Sequence, residues 1–338
     1  MQAVTFTIRR ECIRLETVRQ RQNMEITRIG IVVPVKDEQE TLEELYHACA
    51  SAVSKLELGF ELVFVDDGST DKSWEVLCKL QSSFPEHVKA IRLRRNFGKA
   101  LALSAGFRAV SGDVVFTMDA DLQDDPKEIG KFLEKIREGY DCVSGWKVNR
   151  QDPSEKTIPS RMFNRVTAAL SGIQLHDFNC GFKAYRFEVV ENVDVYGELH
   201  RYIPILAHDL GYRIGEVEVE HHPRLHGASK YGWERYTRGL VDLITVMATT
   251  RYSRKPGHLY GGIGLLTGGI GVAILGYLAV LWVMGLGPIG TRPLFFVGIL
   301  LVVLAFQLMS LGVLAEMMIR ASSPLQSVDS FVAERRPD

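Results

Sequence analysis

The chain has 338 residues, 46% hydrophobic and 24% charged, with a formal net charge of −1. That length suggests about two domains, and the lack of a basic excess argues against a nucleic-acid binder. Its five cysteines, Cys12, Cys49, Cys78, Cys142 and Cys180, are scattered with no CxxC pair, so neither a disulfide framework nor a zinc site is expected.

Residues 1–26 carry Arg9, Arg10, Arg14, Arg19 and Arg21 and no apolar run, which excludes a secretory signal and leaves an N-terminal extension. Arg28–Val35 reads as a first strand that Pro34 closes, followed by the polar loop Lys36–Glu40. Thr41 is placed to cap a helix running to about Leu56, with Glu43 and Glu44 in its first turn. Phe60–Val65 is a second strand that ends in Asp66-Asp67-Gly68-Ser69-Thr70-Asp71, and a helix follows from Lys72 to about Ser82. A third strand, Val88–Leu93, leads through Arg94-Arg95-Asn96-Phe97-Gly98-Lys99 into a helix over 100–110.

Val114–Met118 is the fourth strand, and a burst of carboxylates follows it: Asp119, Asp121, Asp124 and Asp125, closed by Pro126. Apolar strands buried on both faces suit a parallel sheet, and open α/β sheets bind ligands beyond the carboxyl ends of their strands. Two residues apart in extended chain, Asp119 and Asp121 share a face. Their mutual repulsion is relieved by a hard cation, Mg²⁺ or Mn²⁺, which typically joins one or two carboxylates to substrate phosphates. A helix runs from Pro126 to about Glu138, and Cys142–Gly145 is a fifth strand. The alternation predicts a Rossmann-like, mainly parallel α/β sheet. With no GxGxxG after the first strand and no GxxxxGK[ST], dehydrogenase and P-loop readings fall away.

The segments Pro34-Val35-Lys36-Asp37-Glu38, Asp66-Asp67-Gly68-Ser69, Asn96-Phe97-Gly98-Lys99 and Asp119-Ala120-Asp121-Leu122-Gln123 together resemble the ordered motifs of family 2 glycosyltransferases. Within that family the chain is similar to the polyprenyl-phosphate glycosyltransferases, including dolichol-phosphate mannose synthases and GtrB-type bactoprenol glucosyltransferases. The match spans residues 28–320, with Lys36-Asp37 where the family usually has Tyr-Asn. The resemblance implies a GT-A fold and a nucleotide-sugar donor. It implies that Pro34, Glu38, Asp66, Asp67, Asn96 and Lys99 lie on the donor side, Asp67 toward the ribose or base. It also implies that Asp119, Asp121 and Gln123 hold the cation.

Further along, His176–Tyr185 resembles the family's Asp-x-x-x-Gly-Phe-(Arg/Lys) segment, which makes Asp177 an active-site carboxylate near the sugar. Arg161 and Arg165, four apart, share one face if the segment is helical, and are expected to contact phosphate. Val217–Val219 alternates as a strand. Beyond it, adjacent His221 and His222 would point to opposite faces and make a poor zinc site. Arg224, Ser229 and Lys230 fit phosphate contacts, as the family's Arg…Gly-x-Ser-Lys-Tyr segment also implies.

Trp233–Arg254 mixes apolar residues at helical spacing with aromatic and basic flanks, the pattern of a helix in a membrane interface. Leu259–Val283 and Pro293–Ile319 each exceed the roughly 20 apolar residues that span a bilayer. Arg251, Arg254, Lys255 and Arg320 at their outer ends place both long parts in the cytoplasm by the positive-inside rule, as in a bacterial inner-membrane protein. The expected organisation is an extension (1–26), a GT-A domain (27–232), an interfacial helix (233–256), two transmembrane helices (257–320) and a cytoplasmic tail (321–338). Gly261, Gly262, Gly264, Gly268 and Gly269 would let such helices associate, in a homo-oligomer among other ways.

The expected reaction is inverting transfer of a hexose, glucose from UDP-glucose first, to polyprenyl (undecaprenyl) phosphate. Mannosyl transfer from GDP-mannose is the nearest alternative. A non-catalytic nucleotide-sugar-binding protein is a rival from another class, and Asp119, Asp121 and Asp177 argue against it. A processive polysaccharide synthase would by resemblance carry a Gln-x-x-Arg-Trp-type motif and more spans, and neither is found.

Overall fold

A computed structural model describes residues 25–148, 164–165, 167–169, 171–193, 195, 199–220 and 256–322. Arg161, Arg224, Ser229 and Lys230 lie outside the described residues, as does the expected interfacial helix apart from Pro256. The chain divides into two compact units.

In the first unit, strands and helices alternate: β1 (Arg28–Val35), α1 (Leu42–Ser54), β2 (Gly59–Asp66), α2 (Ser73–Ser83), β3 (Val88–Arg92), α3 (Lys99–Ala109) and β4 (Val114–Thr117). A 3₁₀ turn (Pro126–Glu128) leads into α4 (Ile129–Arg137), then β5 (Cys142–Lys147). After them come β6 (Lys183–Arg186), α5 (Phe187–Asn192), a 3₁₀ turn (Leu199–Tyr202), α6 (Ile203–Asp209) and β7 (Ile214–Val219). The seven strands form one sheet in the order β3-β2-β1-β4-β6-β5-β7.

The period of two along each strand divides the core between the sheet's two faces. Ile31, Val33, Phe64 and Phe116 pack on one side with Leu42, Leu45, Phe132 and Ile136 of α1 and α4. Val32, Val63, Val65 and Val115 pack on the other with Ala102 and Leu103 of α3 and Val189 of α5. Burial on both faces is why β1, β2 and β4 read as near-continuous apolar runs.

Among the described residues six strands run parallel and only β6 runs against its neighbours, pairing antiparallel with β4 and β5. The reversal matters for function. A strand entering from the opposite direction begins where its neighbours end, so the loop before β6 lies at the edge where β1, β2, β4 and β5 finish. Lys183, its first residue, pairs with Thr117 on one side and Ser144 on the other.

Two local expectations change. Pro34 does not close β1, which continues to Val35. The Val32 carbonyl points toward β4 and accepts from Met118 N–H. Pro34, two residues on, therefore faces the same side, and the β4 pairing has already ended at Val32. A missing N–H there leaves no ladder bond broken. Thr41 does not cap α1 through its side chain; its hydroxyl donates back to Glu38 O at 3.0 Å.

The second unit is a pair of helices, α7 (Pro256–Val283) and α8 (Pro293–Ser322). At 28 and 30 residues each is long and apolar enough to cross a membrane. Most of their large apolar side chains point outward, Leu265, Leu266, Phe296 and Phe306 among them. Gly264, Gly268 and Gly271 let α8 approach closely: a β-carbon on Gly271 would lie 2.9 Å from Gly298 O. Gly261, Gly262 and Gly269 have open space where a β-carbon would be. The glycines grouped together in the sequence thus divide into a packing set and an outward set.

Candidate active site

The loops that follow β1, β2 and β3 are built from each other. Asp37 sits at φ 52°, a left-handed conformation that Asp and Asn tolerate. Its carboxylate accepts from Thr70 N (2.7 Å) and Thr70 Oγ1 (3.1 Å), and its own N–H donates to Ser69 Oγ at 2.9 Å. Burial pushes the Asp37 carboxyl up, but the Thr70 hydrogen bonds and the Lys36 ammonium outweigh it, so its pKa is lowered. Lys36 Nζ donates to Gly68 O at 2.7 Å. Gly68, at φ 66°, meets the next loop so closely that a β-carbon would lie 2.5 Å from the Arg95 carbonyl carbon. The motifs after β1, β2 and β3 thus form one interlocked edge.

Within that edge Asp66 and Asp67 divide. Asp66 is fully buried, accepts from Ser69 N at 2.8 Å and pairs with Arg92 Nε at 3.1 Å, so it braces the loop from below. Asp67 accepts from the N–H groups of Phe97 (2.7 Å) and Gly98 (2.9 Å), which fixes the turn from which α3 and Lys99 emerge. Asn96 Oδ1 accepts from the same Gly98 N–H at 3.0 Å.

Strand β4 ends at Thr117, so Asp119 and Asp121 lie in a turn and not in extended chain as the spacing suggested. Asp121 is 7% exposed and accepts from Gln123 N at 3.3 Å; Leu122 between them takes φ 57°. Asp119 is paired with the Lys99 ammonium. Burial pushes the Asp119 carboxyl up, but Lys99, then Lys147, pull it further down, and it stands ionised. Lys147, at the end of β5, holds Asp124 at 2.8 Å. Burial works against this ammonium, and Asp124 more than compensates, raising its pKa.

The loop before β6 closes against this turn. Thr117 Oγ1 donates to Gly181 O at 2.8 Å, and a β-carbon on Gly181 would lie 2.6 Å from Asp119 Oδ2. Gly181→Ala is therefore expected to displace the Asp119 carboxylate. Its kcat should fall about tenfold with the unfolding temperature nearly unchanged; unaltered steady-state kinetics would show that the carboxylate has room to move. Asp177, in the same loop, is 2% exposed and accepts from Asn179 N at 3.0 Å, while its backbone N–H donates to Glu216 on β7 at 3.2 Å. Lys183 Nζ donates to the carbonyls of Phe178 and Cys180. Burial lowers its pKa, against the opposing pull of Cys180 and Asp177.

His200, unmarked by any sequence pattern, completes the cluster. Burial first, then Lys99, Arg201 and Lys183, press its pKa well below the usual imidazole value, so it stands neutral near Asp119. Glu216 was equally invisible, since an alternating strand offers polar residues at every second position. Arg165 is exposed in a helical stretch and has no hydrogen bond or ion pair to the cluster among the described residues.

The residues suit a cation that arrives with a nucleotide. Among the described residues no group of three or more His, Cys, Asp or Glu is spaced to hold a metal alone. Asp119 and Asp121 offer hard oxygen donors, and Asp119 already holds a positive charge, the Lys99 ammonium. Two carboxylates with phosphate oxygens completing the set is the usual way proteins hold Mg²⁺ or Mn²⁺ beside a nucleotide.

A mainly parallel sheet with an acidic turn after β4, and one reversed strand whose preceding loop brings a further carboxylate to that turn, is the arrangement expected of a GT-A glycosyltransferase. The sequence model of the family described as Glycosyl transferase family 2 matches residues 30–194. Dodecaprenyl-phosphate galacturonate synthase of Rhizobium johnstonii is 37% identical over 297 residues, covering 86% of this chain and 88% of that one. Undecaprenyl-phosphate 4-deoxy-4-formamido-L-arabinose transferase of Pseudomonas aeruginosa is 35% identical over 313 residues, covering 91% and 89%. The chain belongs to glycosyltransferase family 2 and, within it, to the polyprenyl-phosphate glycosyltransferases. Glucosyl-3-phosphoglycerate synthase of Mycobacterium tuberculosis, solved with Mn²⁺, UDP and phosphoglyceric acid, shares the fold: TM-score 0.52 at 19% identity, over 68% of this chain and 80% of that one.

Proposed function

We propose that this enzyme transfers one sugar from a nucleotide-sugar to a polyprenyl phosphate, giving polyprenyl-phosphate-sugar and a nucleoside diphosphate. The observation that carries it is likeness along nearly the whole chain to two transferases named for polyprenyl-phosphate products. The two apolar helices support it, since a lipid acceptor gives them a purpose. UDP-glucose has no support in those relatives. A nucleotide-linked sugar acid of the galacturonate kind is the better donor reading, with a 4-formamido-pentose second. By its organisation, the described first unit is the catalytic domain, anchored through residues 257–320 with its face to the cytoplasm.

Each residue's part follows from charge. A phosphate oxygen of the acceptor attacks the anomeric carbon as the bond to the diphosphate breaks. Attack opposite the leaving group inverts that centre. The acceptor needs little help from a base, because the second pKa of a phosphate monoester is about 6. Asp119, Asp121 and Gln123 would hold a divalent cation, which when bound would supply Lewis-acid stabilisation of the departing diphosphate. Asp67 and Asp66, with Pro34, Glu38 and Asn96, shape the nucleotide side, and Lys99 exchanges Asp119 for a phosphate oxygen when the donor arrives. Asp177 faces the positive charge that develops on the sugar. Arg161, Arg165, Arg224 and Lys230 neutralise the two phosphate groups that otherwise repel, and Ser229 adds a hydroxyl contact to phosphate.

Arg224→Ala should raise the acceptor KM several-fold more than the donor KM, read from initial rates at saturating co-substrate. Equal changes in both would remove Arg224 from the lipid-phosphate side. The reaction itself is tested with full-length protein in detergent, undecaprenyl phosphate and Mg²⁺ or Mn²⁺. UDP-galacturonate, UDP-glucose, UDP-N-acetylglucosamine and GDP-mannose are offered separately. Label should enter the lipid from one donor and be lost with EDTA. Donor hydrolysis with unlabelled lipid would overturn the acceptor assignment.

A further inference from the structure

His176 stands directly before Asp177 in the loop that β6 delivers to the site. Its ring Nδ1 lies 2.7 Å from Glu216 Oε2, and its backbone N–H donates to Glu216 Oε1 at 2.8 Å. That same Oε1 accepts the Asp177 N–H at 3.2 Å. One face of the imidazole stacks on Trp146, centroids 4.1 Å apart and planes 14° from parallel. Even so, the His176 side chain is 64% exposed. Trp146 pairs with Glu218 two residues beyond the Ser144–Glu216 pair, so the stack stands toward the edge where the strands end.

If this group only pinned the loop, the two backbone N–H bonds to Glu216 would suffice and no imidazole would be needed. The ring is instead fixed twice, by a carboxylate and by an indole. A carboxylate at Nδ1 sets which nitrogen carries the proton there and leaves Nε2 for a second partner. Among the described residues, none hydrogen-bonds to that nitrogen.

We propose that His176, oriented by Glu216 and Trp146, binds the phosphate of the prenyl-phosphate acceptor through Nε2, next to Asp177. This rests on the acceptor being a polyprenyl phosphate. The proton balance is simple. A phosphate monoanion gives its hydroxyl proton to neutral Nε2, or an imidazolium donates Nε2–H to the dianion. In both cases one proton lies between Nε2 and a phosphate oxygen, and another oxygen of that phosphate remains free to attack. Glu216 is then a positioning residue, holding His176 by its ring and Asp177 by its backbone with one carboxylate.

The test measures binding of farnesyl phosphate, farnesol and UDP to the full-length protein in detergent by calorimetry. Wild type should prefer farnesyl phosphate to farnesol. His176→Gln should weaken farnesyl phosphate about tenfold, as loss of one charge-assisted hydrogen bond would, and leave farnesol and UDP within about twofold. Glu216→Gln keeps an oxygen for the backbone N–H groups and loses the charge beside the ring, so it should show the same selective loss. Unchanged farnesyl phosphate binding in His176→Gln would overturn the inference and leave the proposed reaction standing. An equal loss of UDP binding would also overturn it, because His176 would then serve the donor or the loop. Wild-type protein that does not distinguish farnesyl phosphate from farnesol would overturn the acceptor assignment and the inference together.

Discussion

Asp121→Asn is expected to lower kcat by at least about a thousandfold, close to 4 kcal/mol of lost transition-state stabilisation, while the protein still folds and inserts into membranes. The substitution keeps shape and keeps an oxygen for the Gln123 N–H, so the turn survives. What it removes is negative charge at a side chain only 7% exposed, where a cation has few other partners. Asp119→Asn should do the same for a second reason. Lys99 would keep its ammonium beside a neutral amide, with no carboxylate to oppose it. Mn²⁺ binding measured with UDP present should weaken in both variants, which separates loss of the cation from loss of chemistry. Near-normal, metal-dependent transfer by Asp121→Asn would sink the assignment of this turn.

Asp141→Ala is expected to destabilise the first unit by about 3–5 kcal/mol, the usual cost of removing one member of a buried ion pair. Asp141 precedes β5 at the edge away from the site. Its carboxylate lies 3.5 Å from Arg186 Nε, at the end of β6, and accepts Arg213 N–H, just before β7, at 2.8 Å. Both side chains of the pair are almost wholly buried. Arg186 Nη2 also donates to Ile136 O at 2.9 Å, which ties α4 into the same knot. One carboxylate thereby joins three consecutive strands of the sheet, β6, β5 and β7. The unfolding temperature should drop by on the order of 10 °C, with kcat at low temperature nearly unchanged. Replacing Asp141 and Arg186 together by leucine should cost less than Asp141→Ala, because no charge is then left buried. A shift of under about 2 °C in Asp141→Ala would show that water reaches the pair.

Most of the scaffold, and the place of the acidic turn in the candidate site, can be read from the chain alone. Apolar runs at β1, β2 and β4, each ending in polar turn residues, specify buried parallel strands, because burial on both faces demands near-continuous apolar side chains. The two apolar helices follow as directly from length and composition. The acidic turn at Asp119 and Asp121 was legible for the same reason: carboxylates after a buried strand have only the ligand edge to occupy. Local detail was not. Pro34 was read as closing β1, yet the β4 pairing has already ended at Val32, so no ladder bond is due from Pro34. Asp66 and Asp67 look equivalent in the chain, yet one braces Arg92 and the other holds the Phe97–Gly98 turn.

The remainder was decided by tertiary structure. Four residues, Lys183–Arg186, are too few to announce a strand, and nothing in them says that it runs backwards. That reversal alone brings the Asp177 loop to the edge where Asp119 waits, with Gly181 in the narrow space between. His200 and Glu216 reach the cluster from a 3₁₀ turn and an outer strand, each distant in sequence from the acidic turn. Pattern and composition act over a few residues, so they fix which segments are buried. Which charges face one another is set by strand order and direction, which are properties of the whole sheet.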